Sequence, residues 1–156
     1  MLTVRESTPD DESEAAVVDH LSTADLRRIY RPTAAAHERR FSISANLQRV
    51  VALLDGHVIG TVQYRIDGDR LHLLGLGVHP DFRRRGVATV LVQRLEEVAA
   101  ESGCHAVVLH TVLETGNVVI FERMGFVIES RQPTDLFESD AFPILSEVVM
   151  RKDLPR

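Results

Sequence analysis

The sequence predicts an α/β fold: a mixed, mostly antiparallel, twisted sheet of six to seven strands with about four helices over both faces. Three observations predict it. Two β-rich runs, residues 50–54 and 58–66, flank Asp55-Gly56, a strong hairpin signal. An apolar run over 71–78 leads through a basic turn into a helical pattern over 87–102, and a second apolar run follows at 106–112. A short helix over about 116–124 and two closing strands then complete the order.

Each element has a local reason. Leu2, Val4 and Glu6 alternate with polar neighbours as a first strand, which Thr8-Pro9-Asp10-Asp11 ends while marking a helix start. Ala15, Val18 and Leu21 then recur at helical spacing over 12–21. The stretch 22–46 has the weakest pattern, with Pro32 breaking it and a short helix expected over 33–40. Asp67-Gly68-Asp69 turns the second hairpin strand into the 71–78 run, giving an antiparallel meander. In the next helix Val87, Val90, Leu91, Leu95, Val98 and Ala99 keep the 3.6-residue period, and Gly103 suits a left-handed C-terminal residue. The helix between them makes the 71–78 and 106–112 strands roughly parallel neighbours. Gly125 stops the short helix, and 126–130 and 147–150 are the last strands.

Composition bounds the function. A chain of 156 residues, 44% hydrophobic and 26% charged, predicts one globular domain over 1–156. Its N-terminus lacks the basic-then-apolar plan of a signal peptide, and no apolar run reaches membrane-spanning length, so no membrane partner is expected. The lone Cys104 fits a reducing cytoplasm and reads as a small buried residue. A net charge of −5 argues against nucleic-acid binding. No His, Cys, Asp and Glu cluster has metal-ligand spacing, so no metal is expected. A phosphate loop of the Gly-x-x-x-x-Gly-Lys-Ser/Thr type is absent, and Gly75-x-Gly77 lacks the third glycine of a dinucleotide fold.

Against that acidic background, Val78-His79-Pro80-Asp81-Phe82-Arg83-Arg84-Arg85-Gly86-Val87-Ala88-Thr89 concentrates arginines at a helix start. Open N–H groups there, with the positive end of the helix dipole, suit a phosphate. Gly75 and Gly77 inside the preceding strand suit a bulge or a close backbone approach.

These residues resemble the GCN5-related N-acetyltransferase (GNAT) superfamily, whose acetyl-CoA motif is Arg/Gln-x-x-Gly-x-Gly/Ala after a strand. Here it stands as Arg83-x-x-Gly86-x-Ala88. A second segment, Phe121-Glu122-Arg123-Met124-Gly125-Phe126, is similar to the family's Tyr-Glu-x-x-Gly-Phe, and a strand over 147–154 closes the chain. The resemblance implies acetyl-CoA as cosubstrate and an amine acceptor as partner, with a homodimer left open. It implies that main-chain groups of Leu76, Gly77 and Val78 hold the pantetheine arm and polarise the acetyl carbonyl. Amides of Arg84, Arg85, Gly86, Val87, Ala88 and Thr89 would cradle the pyrophosphate, with side chains of Arg83, Arg84 or Arg85 added.

It also places His72 where many members carry a glutamate acting as base, with His110 on the next strand as a second candidate. His79 reads as a structural turn residue. Phe121 occupies the position of the tyrosine that protonates the leaving thiolate and has no proton to give. Glu114 stands at the position of a usual asparagine. Asn117 either caps the short helix, as Thr115 also could, or reaches the pantetheine amides. Acceptor specificity is expected from 22–46 and 131–146, where Asp135, Glu138 and Asp140 could attract a cationic amine. The function that follows is acetyl-CoA-dependent N-acetyl transfer to a primary amine of a small molecule, peptide or protein. The alternative is an acyl-CoA-binding module with little or no chemistry, which Phe121 favours.

Overall fold

The computed structural model describes residues 1–36 and 47–155. In chain order these form β1 (Leu2–Glu6), α1 (Glu12–Leu26), β2 (Arg31–Pro32), β3 (Gln48–Leu54), β4 (His57–Asp67), β5 (Arg70–Val78) and α2 (Val87–Glu101). They continue as β6 (Ala106–Val112), α3 (Asn117–Arg123), β7 (Val127–Thr134), β8 (Phe137–Glu138) and β9 (Leu145–Asp153). Seven strands make one sheet in the order β1-β3-β4-β5-β6-β9-β7. Every neighbouring pair is antiparallel except β5 and β6, which run parallel because α2 carries the chain back between them.

The hairpin signal is realised: Asp55 and Gly56 both take positive φ, 51° and 84°, as a tight primed turn requires, and Leu54 pairs with His57. α1 runs five residues beyond the expected 12–21, because Ser22-Thr23-Ala24 contains no helix breaker. Of the helix expected over 33–40, residues 34–36 are helical, Thr33 is not, and 37–40 lie outside the described residues. β7 continues past the expected 126–130 to Thr134, with Pro133 tolerated on an edge strand. The sequence reading contained no β2 or β8, which pair with each other as a separate two-stranded ribbon.

The main core lies between the sheet and α2, where Leu71, Leu73, Val62 and Tyr64 meet Leu91, Leu95 and Val98. Truncating a fully buried side chain such as Leu91 to alanine costs about 2–5 kcal/mol in cores of this kind. A smaller cluster, Val18 with Val51, Leu53 and Val58, fixes α1 on the other face. α1 packs on β4 and β5. The neighbouring part of that face carries His110, Glu147 and Arg151, on β6 and β9.

Candidate active site

The sheet opens between its two parallel strands. Their ladder runs only from Arg70 opposite Ala106 to Leu73 opposite Leu109. Beyond it β5 stays paired with β4 as far as Val78, while β6 stays with β9 as far as Val112. The β6-facing edge of residues 74–78 therefore offers main-chain groups with no sheet partner. A bulge sits at the same place. Gln63 pairs with Leu74 and Thr61 with Gly77, so Val62 alone opposes both Gly75 and Leu76. Gly75 has φ +54°, a left-handed conformation that any larger residue would adopt with strain. Leu76 and Val78 point into the main core. Gly77 faces α1, where a Cβ would stand 2.7 Å from Ser22 Oγ, and Ser22 Oγ donates to the Val78 carbonyl at 3.3 Å.

The basic turn follows directly. His79 accepts the Asp81 N–H on Nδ1 at 3.1 Å and packs edge-on against Phe82, the turn role expected of it. Arg84 and Gly86 both have positive φ, 62° and 78°. The first helical bond of α2 runs from the Val90 N–H to the Gly86 carbonyl at 3.1 Å, so the N–H groups of Val87, Ala88 and Thr89 have no intrahelical acceptor. Gly60 on β4 sets where this helix begins. A Cβ there would lie 2.7 Å from Val87 Cγ1 and 3.1 Å from Leu91 Cδ1. In the sequence Gly60 carries its own signal of close approach, a glycine within a β-rich run.

The three arginines differ. The Arg83 guanidinium is held by Asp25 of α1, so this structure does not present it as an unpaired phosphate ligand. Arg85 lies over the Phe82 ring at 5.4 Å, and Arg84 forms no ion pair among the described residues.

His72 and His110 share the sheet face opposite α2. His72 pairs in register with Val108, two residues before His110, and same-parity strand residues share a face. His72 is half-buried. Burial pushes its pKa below 6.5, and the charges of Arg65, His110 and Arg70 push the same way against Asp67. His110 stands one residue past the end of the β5–β6 ladder, with Nδ1 2.8 Å from Glu147 Oε1 on β9. The Glu147 side chain is 9% exposed and the imidazole 40%. Glu147 was missed in the sequence. It lies 37 residues from its partner, in a closing strand whose pattern reads only as strand.

Phe121 is placed in the core, 8% exposed and edge-on to Phe126 with centroids 5.8 Å apart. Gly116 is the N-cap of α3, and Thr115 serves its first N–H: Thr115 Oγ1 accepts the Asn117 N–H at 3.2 Å and donates to the Val112 carbonyl at 2.6 Å. The capping reading of Asn117 is thereby corrected, and its carboxamide has no hydrogen-bond partner among the described residues. Glu114 accepts the Ser146 N–H, at 2.8 and 3.3 Å, tying the end of β6 to the start of β9. Tyr64 is buried with its hydroxyl 2.7 Å from Glu6 and 2.6 Å from Gln48, and burial raises its pKa. Burial likewise raises the Cys104 thiol, which suits packing and not nucleophilic attack.

The two weakly patterned segments meet each other. Arg31 on β2 binds Glu138 and Asp140, each at 3.1 Å, and Thr33 Oγ1 donates to the Asp135 carbonyl at 2.9 Å. A hollow of about 340 Å³ lies here, lined by Thr33, Asp135, Phe137, Phe142, Ile144 and Leu145. Leu145 begins the strand that carries Glu147. The expected pull on a cationic amine is reduced, since Arg31 offsets one of the two charges of Glu138 and Asp140. Asp135 forms no ion pair among the described residues.

The acetyltransferase (GNAT) family matches residues 15–126. The chain belongs to this family. The matched span takes in the fork, the basic turn and the 121–126 segment, and ends before the strand that carries Glu147. Solved structures of the same fold cover nearly the whole GNAT chain. The ribosomal-protein-S18-alanine N-acetyltransferase of Escherichia coli is 15% identical with a TM-score of 0.78, covering 100% of this chain and 96% of that one. An aminoglycoside 6'-N-acetyltransferase in complex with coenzyme A is 16% identical with a TM-score of 0.74, covering 99% and 98%. A proposed streptothricin acetyltransferase of Bacillus anthracis with acetyl coenzyme A is 14% identical with a TM-score of 0.72, covering 99% and 100%. Among the described residues, no group of three or more His, Cys, Asp or Glu could hold a metal ion. Among them, too, no helix is long and apolar enough to cross a membrane.

Proposed function

We propose that this GNAT protein transfers the acetyl group of acetyl-CoA to a primary amine of a small molecule or peptide, by direct attack on the thioester. The observation that carries this reading is the opening of β5 from β6 beside the N-terminus of α2. An unpaired strand edge suits the amides of a pantetheine arm, and the open N–H groups of α2 suit a pyrophosphate. Acetyl-CoA supplies an activated acetyl group. Coenzyme A bound to proteins of like fold supports the assignment.

The residues then divide the work. Main-chain groups of Leu76, Gly77 and Val78 hold the arm and polarise the carbonyl, while Gly86, Val87, Ala88 and Thr89 present N–H groups to the phosphates. Arg84 and Arg85 add charge there, and Asn117 offers its carboxamide to the arm. A primary amine with a pKa near about 10.4 is mostly protonated at neutral pH and must lose a proton before it attacks. His72 and His110 stand on one face at the fork to take it. The lowered pKa of His72 keeps it unprotonated at neutral pH. Leaving thiols with a pKa near about 8.5 depart tolerably without an acid, which fits the absence of a proton on Phe121. The hollow between 33 and 145 receives the acceptor. Cys104, buried and unpaired, supports a cytoplasmic setting.

The burial of Phe121 against Phe126 also favours a second reading, an acyl-CoA-binding module with little or no turnover. Thiol release from acetyl-CoA across an amine library, measured beside CoA affinity by calorimetry, decides between them. Amine-dependent release supports the enzyme; micromolar binding without release supports the module. No CoA affinity overturns both.

A further inference from the structure

We infer that Glu147 is a positioning residue, holding His110 in the tautomer that accepts a proton from the acceptor amine at the open end of the β5–β6 fork. The inference rests on the acetyl-transfer reading above and sharpens it. Between His72 and His110, it assigns the proton to His110.

The geometry is specific. With Glu147 ionised, its carboxylate can only accept, which assigns the hydrogen of the 2.8 Å contact to Nδ1 of His110. A neutral imidazole then has its one in-plane lone pair on Nε2. The carboxylate is buried and occupies Nδ1, while the imidazole is 40% exposed, which leaves Nε2 as the nitrogen available to an amine. Register sets the direction. His110 lies opposite Val149 and Glu147 opposite Val112, so the carboxylate sits along β9 toward Leu145 and the hollow. His72 has no hydrogen-bond partner among the described residues, so nothing there selects its tautomer. Among the described residues, His72 of β5, with Arg65, Asp67 and Arg70 acting on it, and Arg151 of β9 share the face of the pair.

The step balances without a further reactant. One proton of the ammonium passes to His110 Nε2, the freed lone pair then forms the N–C bond, and the C–S electron pair leaves with sulfur, which takes up the second amine proton. The resulting imidazolium keeps its Nδ1–H on Glu147, which remains ionised.

The test uses the full chain, acetyl-CoA and the best amine from a library screen. Glu147→Gln should lower kcat at least about tenfold with KM for acetyl-CoA unchanged, and Glu147→Asp should recover part of the loss. His110→Gln should lose as much, and the Glu147→Gln/His110→Gln double variant should be no worse than His110→Gln alone. Imidazole nitrogen NMR shifts should show His110 protonated on Nδ1 in the wild type and a mixed tautomer in Glu147→Gln. An unchanged kcat in Glu147→Gln, additive losses in the double variant, or a wild-type proton on Nε2 would each overturn the inference. If Glu147→Gln does not fold, the wild-type tautomer and Glu147→Asp still decide. Absence of acetyl transfer by the wild type to any amine overturns the functional reading instead, a result the NMR measurement does not confuse with this one.

Discussion

Between β5 and β6 the cleft is walled by long strands, a bulge and a helix start, all linked by short connections and tied into the main core. Across β9, the hollow over Leu145 is walled by a two-residue ribbon, exposed Phe142 and Ile144, and surface ion pairs of Arg31. The first wall works through backbone groups whose positions follow from hydrogen-bond registers. The second works through side chains on loops, which can change without disturbing the sheet. One half suits a ligand common to many enzymes, and the other suits an acceptor particular to this chain.

The largest effect should come from blocking the rigid half. Gly86→Glu puts a carboxylate and a left-handed, strained residue where phosphates would sit, and should weaken acetyl-CoA binding by at least about 100-fold by calorimetry. Unchanged affinity would remove the turn from the site. Next, Gly60→Ala forces a methyl against Val87 and Leu91 and should destabilise the fold by about 1–3 kcal/mol in thermal melts, with acetyl-CoA affinity falling as α2 shifts. If stability alone fell, the helix position would not govern binding.

Acidification probes the face between the halves. The pKa of His72 is lower when folded than its ordinary 6.5, so the unfolded chain binds the proton first as pH falls below that value. Stability linked to this group is full above pH 6.5 and declines on acidification. His72→Gln should therefore melt with a flatter pH dependence between about pH 7 and pH 5 than the wild type. Parallel curves would show that burial does not suppress the charge on His72. The smallest effect belongs to the loop half. Arg31→Ala removes two exposed ion pairs and should cost only about 0.2–1 kcal/mol, while freeing Glu138 and Asp140 to draw a cationic amine, lowering its KM and leaving KM for acetyl-CoA alone. A shift in the acetyl-CoA constant would mean the halves are not separable.

The same contrast explains what was legible in the sequence. The Asp55-Gly56 hairpin, the 3.6-residue period of α2 and the glycines of β5 are local signals, and each appears where the pattern put it. The extent of the β5–β6 ladder was not legible, because no residue marks where two strands part. The β2–β8 ribbon joins Arg31 to Glu138, 107 residues away, through two-residue strands too short for any periodicity. Glu147 reads as one charged residue among valines until the register places His110 beside it. In the sequence Arg83 looks like its neighbours, one of three arginines at a phosphate turn, and only the packing of α1 shows Asp25 holding it.

The central claim is that the open edge of β5 and the α2 N-terminus together hold the cosubstrate. Titrating the isotope-labelled protein with coenzyme A and following backbone amides by NMR tests it most directly. The account predicts large shifts at residues 74–78 and 84–89, with little change around Thr33 and residues 135–145. Shifts confined to the hollow, with residues 74–78 and 84–89 unmoved at saturation, would contradict it.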